Sequence, residues 1–208
     1  MRHKITQHLQ SVGDKWYIDV LEGQRRINFN DYFNIGNLMQ YLHDWLVENG
    51  WGSPKDDKFG EVFYHHIFKQ SGDEEVRWWW RFERDPPGES AGFLKCEMNV
   101  DVRIIAMKKT EQMKKGMKFK TNHGDMEIGV EGRVVIDANK NWRSHKLMSH
   151  LLKFYVYQMI NDRVMNARDF VKEDADRFTD ALKAYFKMPG YNSEAEAEGH
   201  WGHSQDFD

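Results

Sequence analysis

Residues Val76 to Glu83 read Val-Arg-Trp-Trp-Trp-Arg-Phe-Glu, and no other stretch narrows the choice of fold as much. With a period of two, Val76, Trp78, Trp80 and Phe82 share one face, and Arg77, Trp79, Arg81 and Glu83 share the other. That alternation belongs to a half-buried strand. The next run extends it: Leu94, Cys96, Met98, Val100, Val102, Ile104 and Ala106 alternate with Lys95, Glu97, Asn99, Asp101 and Arg103. A hairpin signal at Asn122–Asp125 precedes a third run, Met126, Ile128, Val130, Val134 and Ile136 against Glu127, Glu131 and Arg133. One apolar face runs through all of these strands, so another layer must cover it.

The rest of the chain supplies candidates for that layer. Residues 3–21 predict a strand or hairpin, with Trp16, Ile18 and Val20 alternating before a turn at Glu22 and Gly23. Leu38, Met39, Leu42, Trp45 and Leu46 then mark a helix over about 35–49, capped by Asn34 or Asn37 and stopped by Gly50. Strands follow at about 61–69, 75–84, 93–107, 116–121 and 125–137, with a lysine-rich connection at 108–115. Their short connections make neighbours antiparallel. Residues 144–188 are helical in pattern. As one rod they would reach roughly 67 Å, against roughly 40–45 Å for a compact domain of this size. A break near Asn161 or Asn166 is therefore expected, with overhang onto another chain as the alternative.

The fold expected is α+β: an antiparallel meander of about five to seven strands, one helix after the N-terminal strands, and a long, broken C-terminal helix on the sheet. Residues 1–188 read as one domain and 189–208 as a flexible tail. The tail holds Glu194, Glu196, Glu198, Asp206 and Asp208 and no lysine or arginine. A net charge of −3 over 208 residues gives no overall pull toward nucleic acid or membrane. Eight tryptophans argue against disorder. No apolar run approaches the roughly 20 residues of a membrane span, and the residues after Met1 lack a leader's apolar core. A cytoplasmic protein without membrane contact is expected. The lone Cys96 falls on an inward strand position and reads as a buried thiol.

No HExxH, paired CxxC, GxxxxGK[ST], GxGxxG or GxSxG occurs, so no catalytic residue, metal ligand or cofactor is assigned. His65 and His66 point to opposite faces of a strand, and His145 and His150 miss the i, i+4 spacing of paired ligands. His200, His203 and Asp206 offer at most an adventitious metal site in the tail. The first functional reading is a non-catalytic binding protein that associates with a protein partner or itself, through the sheet or the C-terminal helices. Its contact residues on the outer face would be Trp79, Arg77 and Arg81, unless Trp79 stacks on those arginines within the chain. The outer charges balance, which predicts cross-strand ion pairs. The element order also resembles the helix-grip arrangement of lipid- and polyketide-binding domains, although one helix stands where that pattern has two. The resemblance implies a small apolar ligand between sheet and helix, against Trp78, Trp80, Met98 and Tyr155. In a third reading, nucleic acid meets the basic segment Lys108–Lys120 through Lys108, Lys109, Lys114 and Lys115. Lysine connections are commonly just solvated, and nucleic acid is not an expected partner.

Overall fold

A computed structural model describes residues 9–12, 15–53, 55, 59–88, 92–114 and 117–187. The tail expected from residue 189 lies outside them. The described residues form seven strands: β1 (Gln10–Val12), β2 (Lys15–Asp19), β3 (Arg25–Phe33), β4 (Glu61–Phe68), β5 (Glu74–Arg84), β6 (Leu94–Lys114) and β7 (Met117–Ile136). They make one antiparallel sheet in the order β1-β2-β7-β6-β5-β4. β3 continues the edge that β2 begins. β2 pairs with β7 over Arg133–Ile136 and β3 over Asn122–Val130.

Helix α1 (Ile35–Glu48) follows β3, with the Asn34 side chain accepting from the Asn37 amide at 2.9 Å. Its stripe Leu38, Leu42 and Leu46 is fully buried. Gly50 takes the positive φ of 73° that stops the helix. The C-terminal segment is α2 (Lys146–Phe154), a π-helical stretch Tyr155–Met159 and α3 (Asn161–Tyr185). The interruption falls at Ile160, whose φ of −117° leaves the helical range. One side of α3, through Val164, Ala167, Val171, Ala175, Phe178 and Leu182, is buried on the apolar sheet face. Trp45 and Tyr41 of α1 meet Phe178 and Tyr185 of α3, at ring separations of 4.8 and 4.7 Å. The two helices thus cover the sheet together.

Three expectations need correction. Residues 25–33 form β3, although Asn28, Asn30 and Asp31 suit strands poorly. The expected hairpin at Asn122–Asp125 is unbroken strand within β7. Opposite it β6 carries a bulge between Ile105 and Lys108, with Ala106 at a φ of 51°. A Cβ on Gly124 would lie 2.9 Å from the Met107 Cα. Glycine is there for close approach rather than for a turn. The bulge also changes which residue points inward, so Met107 is buried where Ala106 was expected. Third, residues 108–114 are not a connection but the far end of β6, paired to β7 as far as Lys114 and Met117.

Candidate functional site

Trp78, Trp80 and Met98 lie together on the covered face and are buried. Phe59 closes over the row, its ring 5.0 Å from Trp80 and 5.1 Å from Phe82. Trp80 donates Nε1–H to Glu61 at 3.1 Å, while Trp78 Nε1 is buried without a hydrogen-bond partner. Tyr155 does not join them. It packs in a separate aromatic group at 4.3 Å from Trp142 and 5.6 Å from Phe93. Clefts of about 230 to 590 Å³ lie elsewhere on the described residues, and these four side chains line none of those clefts. The three inner residues act here as core.

On the outer face Arg77, Trp79 and Arg81 stand side by side, each already engaged. Trp79 is 41% exposed and stacks on Phe63 of β4 at 4.3 Å, not on a guanidinium as expected. Arg77 pairs with Glu75, and Arg81 with Asp101. Arg103 reaches Glu75 at 3.7 Å, Arg133 holds Glu131 at 2.9 Å, and Lys15 holds Glu97. The balance of charge is thus spent in ion pairs across and along the strands.

The basic segment is partly neutralised at its base. Lys108 meets Asp73 at 3.3 Å, and Lys109 meets Glu74 at 2.8 Å while lying 5.7 Å above the Phe68 ring. Lys109, together with His66 at 2.8 Å, holds the Glu74 carboxyl below its usual range. Lys114 ends β6, and Lys115 lies outside the described residues.

The face that sequence reasoning missed is on α2. A clasp fixes its entry: Asp137, fully buried at a φ of 52°, accepts from the Trp142 and Arg143 amides at 3.1 and 2.9 Å. Arg143 Nε donates back to the same carboxylate at 3.2 Å. From there Leu152, Val156 and Ile160 turn into the core. Leu147 (74% exposed), Met148, Leu151, Phe154 (62%) and Met159 (68%) turn outward. Leu147, Leu151 and Phe154 are spaced i, i+4, i+7 and so form one stripe. The helical pattern of this segment therefore holds, but the stripe of Leu147, Leu151 and Phe154 faces out. The signal was that two apolar stripes share one helix, more than a single supporting surface covers. The exposed polar neighbours are Lys146, His150 and Lys153, and no acid occurs between Trp142 and Ile160.

Chemistry elsewhere is sparse. Among the described residues no group of three or more His, Cys, Asp or Glu side chains is placed to hold a metal. Cys96 is buried with Sγ 3.9 Å from the Ala167 carbonyl oxygen, and burial pushes its thiol up to about 12. Such a thiol is a poor nucleophile. His65 and His66 sit opposite Arg77 and Val76 on successive strand positions, hence on opposite faces. Among the described residues no helix is long and apolar enough to cross a membrane.

No protein-family model matches the chain, and no curated protein matches it. Among solved structures it aligns with an uncharacterized protein from Rhizobium leguminosarum at 8% identity. The alignment covers 72% of this chain and 94% of that one with a TM-score of 0.16, and so carries no argument about fold or function.

Proposed function

We propose that this chain is a non-catalytic binding protein and that it docks a protein partner through the outward face of α2 and the π-helical stretch after it. The observation that carries the proposal is the run of exposed Leu147, Met148, Leu151, Phe154 and Met159. Contiguous apolar side chains at this exposure mark an interaction surface far more often than a solvated one. The open sheet face is the poorer candidate, because its charges already pair with each other. Lys146, His150 and Lys153 surround the apolar stripe without a compensating acid. Two α2 faces meeting head-on would set like charges together, so an acidic-rimmed surface suits the site better. That surface belongs to another protein or to a different face of a second copy.

A photo-reactive residue placed at Leu147 in cells tests this directly. One dominant adduct is expected, either with another protein or with a second copy, and Leu151→Asp with Phe154→Asp should abolish it. Both substituted side chains are exposed, so the thermal midpoint should hold within a few degrees, as surface changes usually cost less than about 0.5 kcal/mol. An adduct pattern no different from that of a reactive residue at Glu22 would overturn the proposal.

A further inference from the structure

β4 is an open edge of the sheet, pairing among the described residues with β5 alone. The direction of its backbone groups follows from the hairpin. The Lys69 amide donates to the Asp73 carbonyl at 2.8 Å, and the Arg81 amide to the Gly60 carbonyl at 2.7 Å. Hydrogen-bonded pairs alternate along an antiparallel ladder. Phe63, His65 and Ile67 therefore turn their main chain toward Trp79, Arg77 and Glu75 of β5, while Tyr64, His66 and Phe68 turn theirs outward. The side chains of these last three lie on the inner face, opposite Trp78, Val76 and Glu74. The helices leave that end bare, with Tyr64 46% and Phe68 68% exposed. The other edges are guarded: β1 has three residues, and β3 carries Arg25, Arg26 and Asp31. Val62 to Phe68 holds no lysine, arginine, proline or acid, although such residues are what blunt a natural edge.

We infer that this edge binds a second copy of the chain, whose β4 adds antiparallel to it and joins the two sheets into one. Both inner faces lie on the same side only if the two-fold axis runs between two copies of one residue. Centred on His66, the pairing sets Tyr64 opposite the partner's Phe68, and every outward amide and carbonyl of Tyr64, His66 and Phe68 is used. Centred on His65, it would set Phe68 against Val62 in the bulge between Glu61 and Phe63. His66 is therefore the centre. On the outer face His65 then opposes the partner's Ile67, and Lys69 opposes the partner's Phe63, a cation against a ring. With the histidines neutral, no formal charge opposes its like. A strand from another protein would meet the same backbone, but this sequence supplies the aromatic matches by itself. Taking about 200 Å² for a fully exposed aromatic side chain, the bare parts of Tyr64 and Phe68 amount to roughly 230 Å² per copy. The interface falls below the roughly 1,200 Å² of stable complexes, so the dimer is weak and concentration-dependent.

Sedimentation equilibrium of the full chain tests the inference. Leu151→Asp and Phe154→Asp are present throughout, so that the α2 surface takes no part and the two sites are judged separately. The average mass should climb above 24.8 kDa as concentration rises from about 10 µM to about 1 mM. Phe68→Ser should move the midpoint at least about tenfold higher in concentration. Tyr64→Pro should hold the mass at one chain, because it deletes an outward amide that the ladder with β5 does not use. An unchanged circular dichroism spectrum confirms the fold of each. Under mild oxidation His66→Cys should cross-link two copies, the Cα atoms lying about 5.5 Å apart across the axis. His65→Cys should not, because the two copies of that position are diagonal at roughly 7–8 Å. A single chain at about 1 mM overturns the inference. So does a dimer that Phe68→Ser and Tyr64→Pro both leave intact, or equal cross-linking at positions 65 and 66.

Discussion

Asp174 shows how one side chain ties distant parts of this chain together. It is buried on α3, accepts from Trp51 Nε1 at 2.8 Å, and pairs with Arg84 at 3.7 Å and with Arg177. Arg84 in turn lies 4.8 Å above the Phe170 ring and donates to the Asn49 carbonyl at 2.8 Å. Removing the carboxylate leaves the buried Trp51 N–H without its acceptor and Arg84 without its counter-charge. Asp174→Ala should therefore cost about 3–5 kcal/mol in urea denaturation, and a loss near zero would contradict the clasp. Cys96 gives a chemical readout of the same core. With its thiol at about 12, the thiolate fraction at pH 8 is on the order of one part in ten thousand. Labelling by a thiol reagent should proceed only as fast as the protein unfolds, and prompt labelling in native buffer would refute the burial.

Between elements, the contact to examine is α3 against the sheet. Gly132 of β7 faces Val171, where an added Cβ would sit 2.7 Å from Cγ1 of that side chain. Val171 is short, buried and fixed by its helix, so it cannot swing away. Gly132→Ala should cost about 1–3 kcal/mol by overpacking. At Gly129, three residues earlier, the nearest atoms to an added Cβ all belong to the Gln24 side chain. That long side chain relocates easily, although it surrenders its 3.2 Å bond to Asp101. Gly129→Ala should be the milder change in the same denaturation series, and the reverse ranking would mean that α3 is not seated as described. α2 is anchored otherwise, by Asp137 at its entry, with Leu152 its one buried side chain and Val156 following in the π-helical stretch. It presents more apolar surface outward than inward, which is why it, rather than α3, is the docking element.

For the molecule as a whole, acid should weaken the sheet from the start of β5. Arg77 holds the Glu75 carboxyl below its usual range, as Lys109 and His66 do for Glu74. A lowered folded-state pKa means that the unfolded chain binds protons first. The stabilisation is therefore complete above the unfolded value near 4.5 and is lost as pH falls through the lower folded values. Urea midpoints should be level from pH 7 to about 5 and decline below about 4.5. Glu74→Gln with Glu75→Gln should flatten that decline, and an equally steep one would remove these two groups from the account. Local pattern was enough for the α+β class, α1 with its Asn34 cap, the antiparallel order, the inward rows of β5 to β7 and the break before α3. Each follows from side-chain period and a nearby stop signal, which neighbouring residues set. The Asn122–Asp125 turn did not survive, because Asn-His-Gly-Asp reads alike in a hairpin and opposite a bulge. The difference is Ala106, sixteen residues away from Asn122 in sequence and across the ladder in space. β3 had an alternating Ile27, Phe29 and Phe33, but its edge pairing with β7 outweighed poor propensity across nearly a hundred residues. The direction in which α2 turns its two stripes depended on which of them the sheet, Phe93 and Trp142 met first. Period states that a face is apolar; only packing against distant residues states whether it is covered.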